Sequence, residues 1–257
     1  MRALQLWIAT AILMVAGGCG GGTTAPTILA TITSGNWAML LISQANPPVF
    51  VVLGGSLTQQ GNSISGILHI SDSPCFDALL DDLVVSGTVA GEMLTLSTVP
   101  VRGQTITISA TLPIAGGASL LNGNYTSAGS TCIAASGTFG AFLVQLLTGT
   151  FSGPITGSLT AGVTATLTQT GPDAHGFFHL SGNFAFSGSP CFTSGAIAGS
   201  SLSGIKADLV VSTNDGGQTT VSGLNTMIGL VDNLGADLTV QSGTCAGLAG
   251  SGTLMKQ

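Results

Sequence analysis

The chain has very little charge. Charged residues make up 5% of its 257 positions, where ordinary soluble domains carry about 25%. Only four residues are Lys or Arg, so no basic surface exists to grip a phosphate backbone, and nucleic acid is excluded as a partner. The net charge of −6 comes without any acidic run that would make a tail or a metal-storing tract. Aromatic residues are also scarce, at 5% with a single Tyr. That is too few to build the two interfacial girdles of a membrane barrel, although the number of apolar strands raises the idea.

The chemistry of catalysis is thin as well. The three histidines are His69, His175 and His179, and none accompanies a Gly-x-Ser-x-Gly elbow with a placed acid. Asp81, Asp82 and Glu92 fall in a link and a turn, where solvated positions are expected rather than the paired carboxylates of glycoside hydrolysis. No phosphate loop or dinucleotide fingerprint precedes a helix, so no cofactor is implied. His175 and His179 lie four apart with Asp173 nearby, but no short Cys-x-x-Cys spacing or further ligand completes a metal site. Gly, Ser and Thr are plentiful, yet a mean hydropathy of +0.59 is incompatible with a disordered chain.

What the chain does have is an internal repeat. Ser73-Pro74-Cys75-Phe76 returns as Ser189-Pro190-Cys191-Phe192, and Leu57-Thr58-Gln59 returns as Leu167-Thr168-Gln169. Gly66-Ile67-Leu68-His69-Ile70-Ser71 reads against Gly176-Phe177-Phe178-His179-Leu180-Ser181, which would make His69 and His179 equivalent outward-facing residues. Ser86–Gly91 reads against Ser194–Gly199 in the same way. A second cysteine closes each copy, giving Cys75–Cys132 and Cys191–Cys245 as expected disulfides with separations of 57 and 54 residues. The repeat predicts two domains, 34–146 and 148–257, each long enough to bury its own core.

In front of them, Arg2, an apolar run to Val15 and the small residues Ala16-Gly17-Gly18 make a secretory signal over 1–18. Cys19 follows, and the junction resembles a bacterial lipobox, although Ala16 stands where that pattern prefers Leu. The resemblance implies a lipidated Cys19, a flexible tether over 19–33 and an exported protein held in the cell envelope. The Gly after the cysteine implies the outer membrane, with the domains facing the periplasm or the surface.

Strand periodicity dominates the rest. In Thr105–Leu112, Ile106, Ile108, Ala110 and Leu112 share one face; in 163–168, Val163, Ala165 and Leu167 alternate with threonines. Gly61-Asn62, Gly116-Gly117 and Asp215-Gly216-Gly217 punctuate such runs. The Asp77–Asp82 link is the one stretch that reads as a short helical turn. About eight short antiparallel strands per copy predict an all-β chain of two tandem up-and-down barrels, or alternatively two curved sandwiches. Gly35-Asn36-Trp37 opening the first strand, with Leu121-Asn122-Gly123-Asn124-Tyr125 later, resembles the calycin group of lipocalins, avidins and fatty-acid-binding proteins. That resemblance implies closed barrels and, in one reading, a small apolar ligand carried inside; in the other the chain is a non-enzymatic structural or interaction module. Gln59 and Gln169 stand at the ends of dry stripes. Each either pairs with a hairpin carbonyl at the barrel end or lines the mouth of a ligand cavity.

Overall fold

The computed structural model describes residues 30–71, 75–113, 116–129, 132–228 and 231–257. The signal, Cys19 and most of the tether lie outside the described residues, as do Ser73 and Pro74 of the first repeated motif. The first half holds β1 (Thr31–Ile32), β2 (Gly35–Ser43), β3 (Phe50–Gln60), β4 (Ser63–Ser71) and β5 (Leu83–Ala90). It continues with β6 (Met93–Thr98), β7 (Gln104–Thr111), β8 (Gly117–Ala118), β9 (Leu120–Gly129) and β10 (Ser136–Leu143). The second half holds β11 (Gly149–Gly157), β12 (Ala161–Thr170), β13 (His179–Ser187) and β14 (Ser194–Ser203). It ends with β15 (Lys206–Thr213), β16 (Gln218–Ile228), β17 (Val231–Ser242) and β18 (Ala249–Lys256). Asp77–Asp82 forms a turn closed by Asp81 N donating to Asp77 O at 2.9 Å, and among the described residues no helix forms.

Each half is a closed antiparallel barrel. The first runs β10-β2-β3-β4-β5-β6-β7-β9 and the second runs β11 to β18 in chain order. β10 returns to β2 from Gly137↔Ser43 to Leu143↔Trp37, and β18 returns to β11. Closure removes the sandwich alternative and leaves no free sheet edge in either unit. On β12, Ala161, Val163, Ala165 and Leu167 are buried while Gly162 and the intervening threonines are exposed, which is the alternation that a one-sided sheet requires.

The interiors are filled by large side chains. Trp37, Tyr125 and Phe139 are buried in the first barrel, and Phe151, Phe184 and Phe186 in the second. Glycines on the strands make room for these groups. A Cβ on Gly137 would stand 2.6 Å from the Tyr125 ring, one on Gly123 2.8 Å from Phe139, and one on Gly66 2.9 Å from Leu57. At each of the three the partner strand's carbonyl (Ile42, Ser109 or Ser56) lies nearer still, so backbone and a neighbouring side chain together occupy the space that the glycine leaves. The parallel pair β1–β8 adds Ile32 and Ala118 to the first core; in the second, Leu147 from the linker between the barrels is fully buried. Disulfides join Cys75 to Cys132 and Cys191 to Cys245, with Cα atoms 5.8 and 5.7 Å apart.

The pairing register corrects part of the repeat alignment. Leu57 pairs with Gly66 in the first barrel, and Leu167 pairs with Gly182 in the second. Gly182, not Gly176, is thus the counterpart of Gly66. His69 lies inside β4, whereas His179 begins β13 opposite Thr170. The cause is loop length: 61–62 connects β3 to β4, and 171–178 connects β12 to β13.

Candidate functional site at the barrel junction

Alternation lapses on β2, β3 and β4. Asn36 to Met39, Leu53 to Leu57 and Leu68 to Ile70 are all buried, so the outer face of the first barrel is covered there as well as the inner one. The cover comes from two projections of the second barrel: the β14–β15 hairpin tip and the 171–178 loop.

At the hairpin tip, Gly204 N donates to Asn36 Oδ1 and Asn36 Nδ2 donates to Gly204 O, both at 2.8 Å. Asn36 is 3% exposed, so this reciprocal pair replaces water for one amide and one carbonyl in a dry contact. The approach needs glycine on both sides. Gly204 has φ +57°, and a Cβ on it would stand 2.7 Å from Gly54 Cα.

The 171–178 loop is organised by Asp173, whose Oδ1 accepts from His175 N at 2.9 Å and Phe177 N at 3.1 Å. Its Oδ2 lies 2.9 Å from His179 Nε2. Burial raises the Asp173 pKa, but the His179 contact and the two amides outweigh it and hold the carboxyl below its ordinary value. So shaped, the loop places Gly176 against Ile67 and stacks Phe177 on His69, with ring centroids 3.9 Å apart and planes 12° off parallel. His175 Nδ1 reaches Asp82 Oδ2 at 2.8 Å.

His69 is the centre of the junction. It faces out from its own barrel, yet is 1% exposed because the second barrel covers it. Its Nδ1 lies 3.1 Å from Ser203 Oγ and its Nε2 3.3 Å from Asp82 Oδ1. Burial lowers its pKa against the opposing pull of Asp82, which favours the neutral ring. A neutral ring protonated on Nε2 donates to Asp82 and accepts from the Ser203 hydroxyl. The Asp82 hydrogen bond pushes the His175 pKa the other way, upward.

Ser203, His69 and Asp82 thus line up in the order nucleophile, base, acid, which sequence spacing did not foreshadow. The amide next to the serine is engaged elsewhere. In serine nucleophile sites the amide following the serine commonly stabilises the oxyanion; here that amide is Gly204 N, already bound to Asn36 Oδ1. The relay joins two barrels across a buried seam. His175 and His179 turn to different carboxylates, and among the described residues no group of three or more His, Cys, Asp or Glu could hold a metal ion.

Beside the relay, a cleft of ≈ 280 Å³ opens between the barrels. Ser201, Ser203, Lys206 and Asp208 form one wall, in the cross-strand pairs Ser201↔Asp208 and Ser203↔Lys206. His69 and Ser71 of β4, with Asp77 to Leu79 of the link, face them, and Phe177 contributes from the loop.

Gln59 and Gln169 lie away from this cleft, at the barrel ends. Gln59 Oε1 accepts from Ile32 N at 2.8 Å, and its Nε2 donates to the hairpin carbonyl of Gly61 at 2.8 Å. Gln169 Oε1 accepts from Leu147 N at 2.9 Å, while its Nε2 is buried and finds no protein partner. Both glutamines hold the segment that leads into their barrel.

Ser203 and Gly204 escaped the sequence reading, which named Asn36 only as part of a strand opening, Asp82 only as a solvated carboxylate, and Asp173 and His175 only in weighing a metal site. Two signals pointed to the junction: the unbroken apolar run Trp37–Ile42, which suits a strand covered on both faces, and the wider spacing from Leu167 to Cys191 than from Leu57 to Cys75. Comparisons with protein-family models, with curated proteins and with solved structures return no match.

Proposed function

We propose that the chain is an exported, lipid-anchored module of the cell envelope, in which two docked barrels act by binding rather than by catalysis. The observation that carries the non-enzymatic part is the engagement of Gly204 N by Asn36, which leaves the only Ser–His–Asp line-up among the described residues without its adjacent oxyanion donor. The two disulfides suit an oxidising compartment outside the cytoplasm. Anchorage through Cys19 rests on the lipobox resemblance, and outer-membrane placement on the glycine that follows it. The side chains packed over Gly66, Gly123 and Gly137 favour a module over a carrier with an apolar ligand inside the barrel.

The test is native mass spectrometry of the mature chain taken from its own envelope, beside a denatured control. The expected spectrum shows a diacyl or triacyl addition at Cys19 and no apolar molecule released on denaturation. A released apolar ligand would establish the carrier reading, and an unmodified Cys19 would remove the anchor. A serine-directed fluorophosphonate probe is expected to leave Ser203 unlabelled; labelling would overturn the non-enzymatic reading.

A further inference from the structure

We propose that the cleft between the barrels binds a small neutral saccharide, with the Ser201–Ser203–Lys206–Asp208 wall reading its hydroxyls. This deepens the reading of the chain as a binding module and rests on it.

The argument begins with where the polar groups are. In a chain with 5% charged residues, one wall of this cleft carries an ammonium and a carboxylate two residues apart on the same face of β15. Their charges offset each other, so the wall attracts neither an anion nor a cation strongly. Ser222 Oγ donates to Asp208 Oδ1 at 2.8 Å, which orients the carboxylate and leaves its other oxygen as an acceptor. Across the cleft Asp77, whose Oδ1 accepts from Leu79 N at 2.9 Å, adds a second carboxylate, which turns anions away and whose other oxygen suits a sugar hydroxyl. Burial lowers the His69 pKa from 6.5, which favours its uncharged form.

What the walls offer instead is a dense set of uncharged donors and acceptors. The hydroxyls of Ser71 and Ser201 can each give and accept a hydrogen bond, and Ser203 Oγ, whose proton goes to His69 Nδ1, can accept one. A ligand that matches alternating donors and acceptors without net charge is a polyol, and a carboxylate such as Asp208 suits adjacent hydroxyls. Phe177 and Leu79 add apolar surface for the C–H face of a sugar ring. The volume of ≈ 280 Å³ lies just below the usual range of ligand pockets, about 300–1,000 Å³. It fits one or two sugar rings rather than a long chain. Both barrels contribute walls, so the site exists only while they are docked.

The experiment is saturation-transfer NMR on the mature two-barrel chain, with D-glucose, N-acetylglucosamine and maltose as probes and alanine, acetate and ethylamine as charged controls. The expected result is transfer to at least one saccharide and to none of the controls. That transfer is expected to disappear in both Ser71→Leu and Ser201→Leu, which fill the cleft from opposite walls, and to persist in Thr164→Leu on the exposed face of β12. Both cleft substitutions lie on strand faces turned away from the barrel interiors, and circular dichroism verifies that each variant folds. Transfer to no saccharide, transfer only to the controls, or saccharide transfer that survives both cleft substitutions would each overturn the proposal. The anomeric signals in the same spectra separate the two claims. A bound sugar that stays chemically unchanged supports both, whereas turnover of maltose would leave the site standing and defeat the non-enzymatic reading.

Discussion

Gly91 and Gly204 occupy the tips of corresponding hairpins, β5–β6 in the first barrel and β14–β15 in the second, with φ of +62° and +57°. A Cβ on Gly91 would meet nothing within 4 Å, whereas one on Gly204 would meet Gly54 and Ala38 of the other barrel. The same contrast holds two connections earlier, where Gly61 and Asn62 make a tight β3–β4 turn and 171–178 makes a reaching β12–β13 loop. The two copies share their interior and differ in their projections. Both inner plans bury apolar rows behind a disulfide; the second barrel supplies the hairpin tip and the 171–178 loop, and the first supplies Asn36 and, from its longer β4–β5 link, Asp82. Duplication here preserved the closed barrel and spent its divergence on loops, where insertions disturb the least packing.

The largest effect that would break this comparison is loss of a disulfide, which treats the copies alike. Cys75→Ser with Cys132→Ser, or Cys191→Ser with Cys245→Ser, is expected to destabilise the affected barrel by roughly 4 kcal/mol in the chain-entropy model. Hydrogen exchange resolved by barrel should localise each loss to its own copy. Loss spread equally over both would mean that the barrels unfold as one.

Next comes a change that should treat the copies differently. Asn36→Leu leaves Gly204 N and O unpaired in a buried seam, at a cost of about 2–4 kcal/mol to docking. Thr150→Val, at the matching position of the second barrel's first strand, should leave docking intact. Small-angle scattering reads both outcomes, since undocked barrels give a longer particle.

The histidines sharpen the comparison through pH. The His69 pKa is lowered from 6.5 by burial, so its contribution is complete above 6.5 and is lost as pH falls through its folded value. The His175 pKa is raised from 6.5 by Asp82, so its contribution is complete below 6.5 and is lost as pH rises through its folded value. Docking is therefore expected to be strongest near pH 6.5, with a His69 limb on the acid side and a smaller His175 limb above. His69→Gln should flatten the first limb and His175→Gln the second, measured by scattering across pH 5 to 8.

The smallest effect concerns a turn. Asp215 accepts from Thr213 Oγ1 at 2.6 Å, Thr244 N at 2.9 Å and Gly217 N at 3.1 Å, and these donors hold its carboxyl well below the ordinary range. Backbone bonds close both this turn and the corresponding β6–β7 turn, but the latter, 99–103, contains no carboxylate. Asp215→Ala should speed amide exchange at Gly217 and Thr244 and leave the first barrel unchanged.

Much of this architecture was legible in the residues. Alternation in 105–112 and 163–168 gave inward rows, and turn glycines such as Gly61 and Gly216 gave strand ends, because both follow from local backbone geometry. Cysteine spacing gave the bridges for the same reason that the repeat was visible: the two copies keep it. The junction was harder to see. Alternation correctly turned His69 outward from its own barrel, but what covers it comes from Phe177 and Ser203, more than a hundred residues away. The extra residues of 171–178 also carried a Gly and a His into apparent alignment with Gly66 and His69. Identity of letters there masked a shift of register, and only strand pairing reveals such a shift.

Amide exchange at Gly204, compared with Gly91 in the same molecule, tests the docking of the two barrels most directly. Both are hairpin-tip amides, and only Gly204 N donates across the junction, to Asn36. The account predicts strong protection at Gly204, free exchange at Gly91, and loss of the difference in Asn36→Leu. Equal and rapid exchange at both glycines in the unaltered chain would show barrels that merely share a linker, and would contradict it.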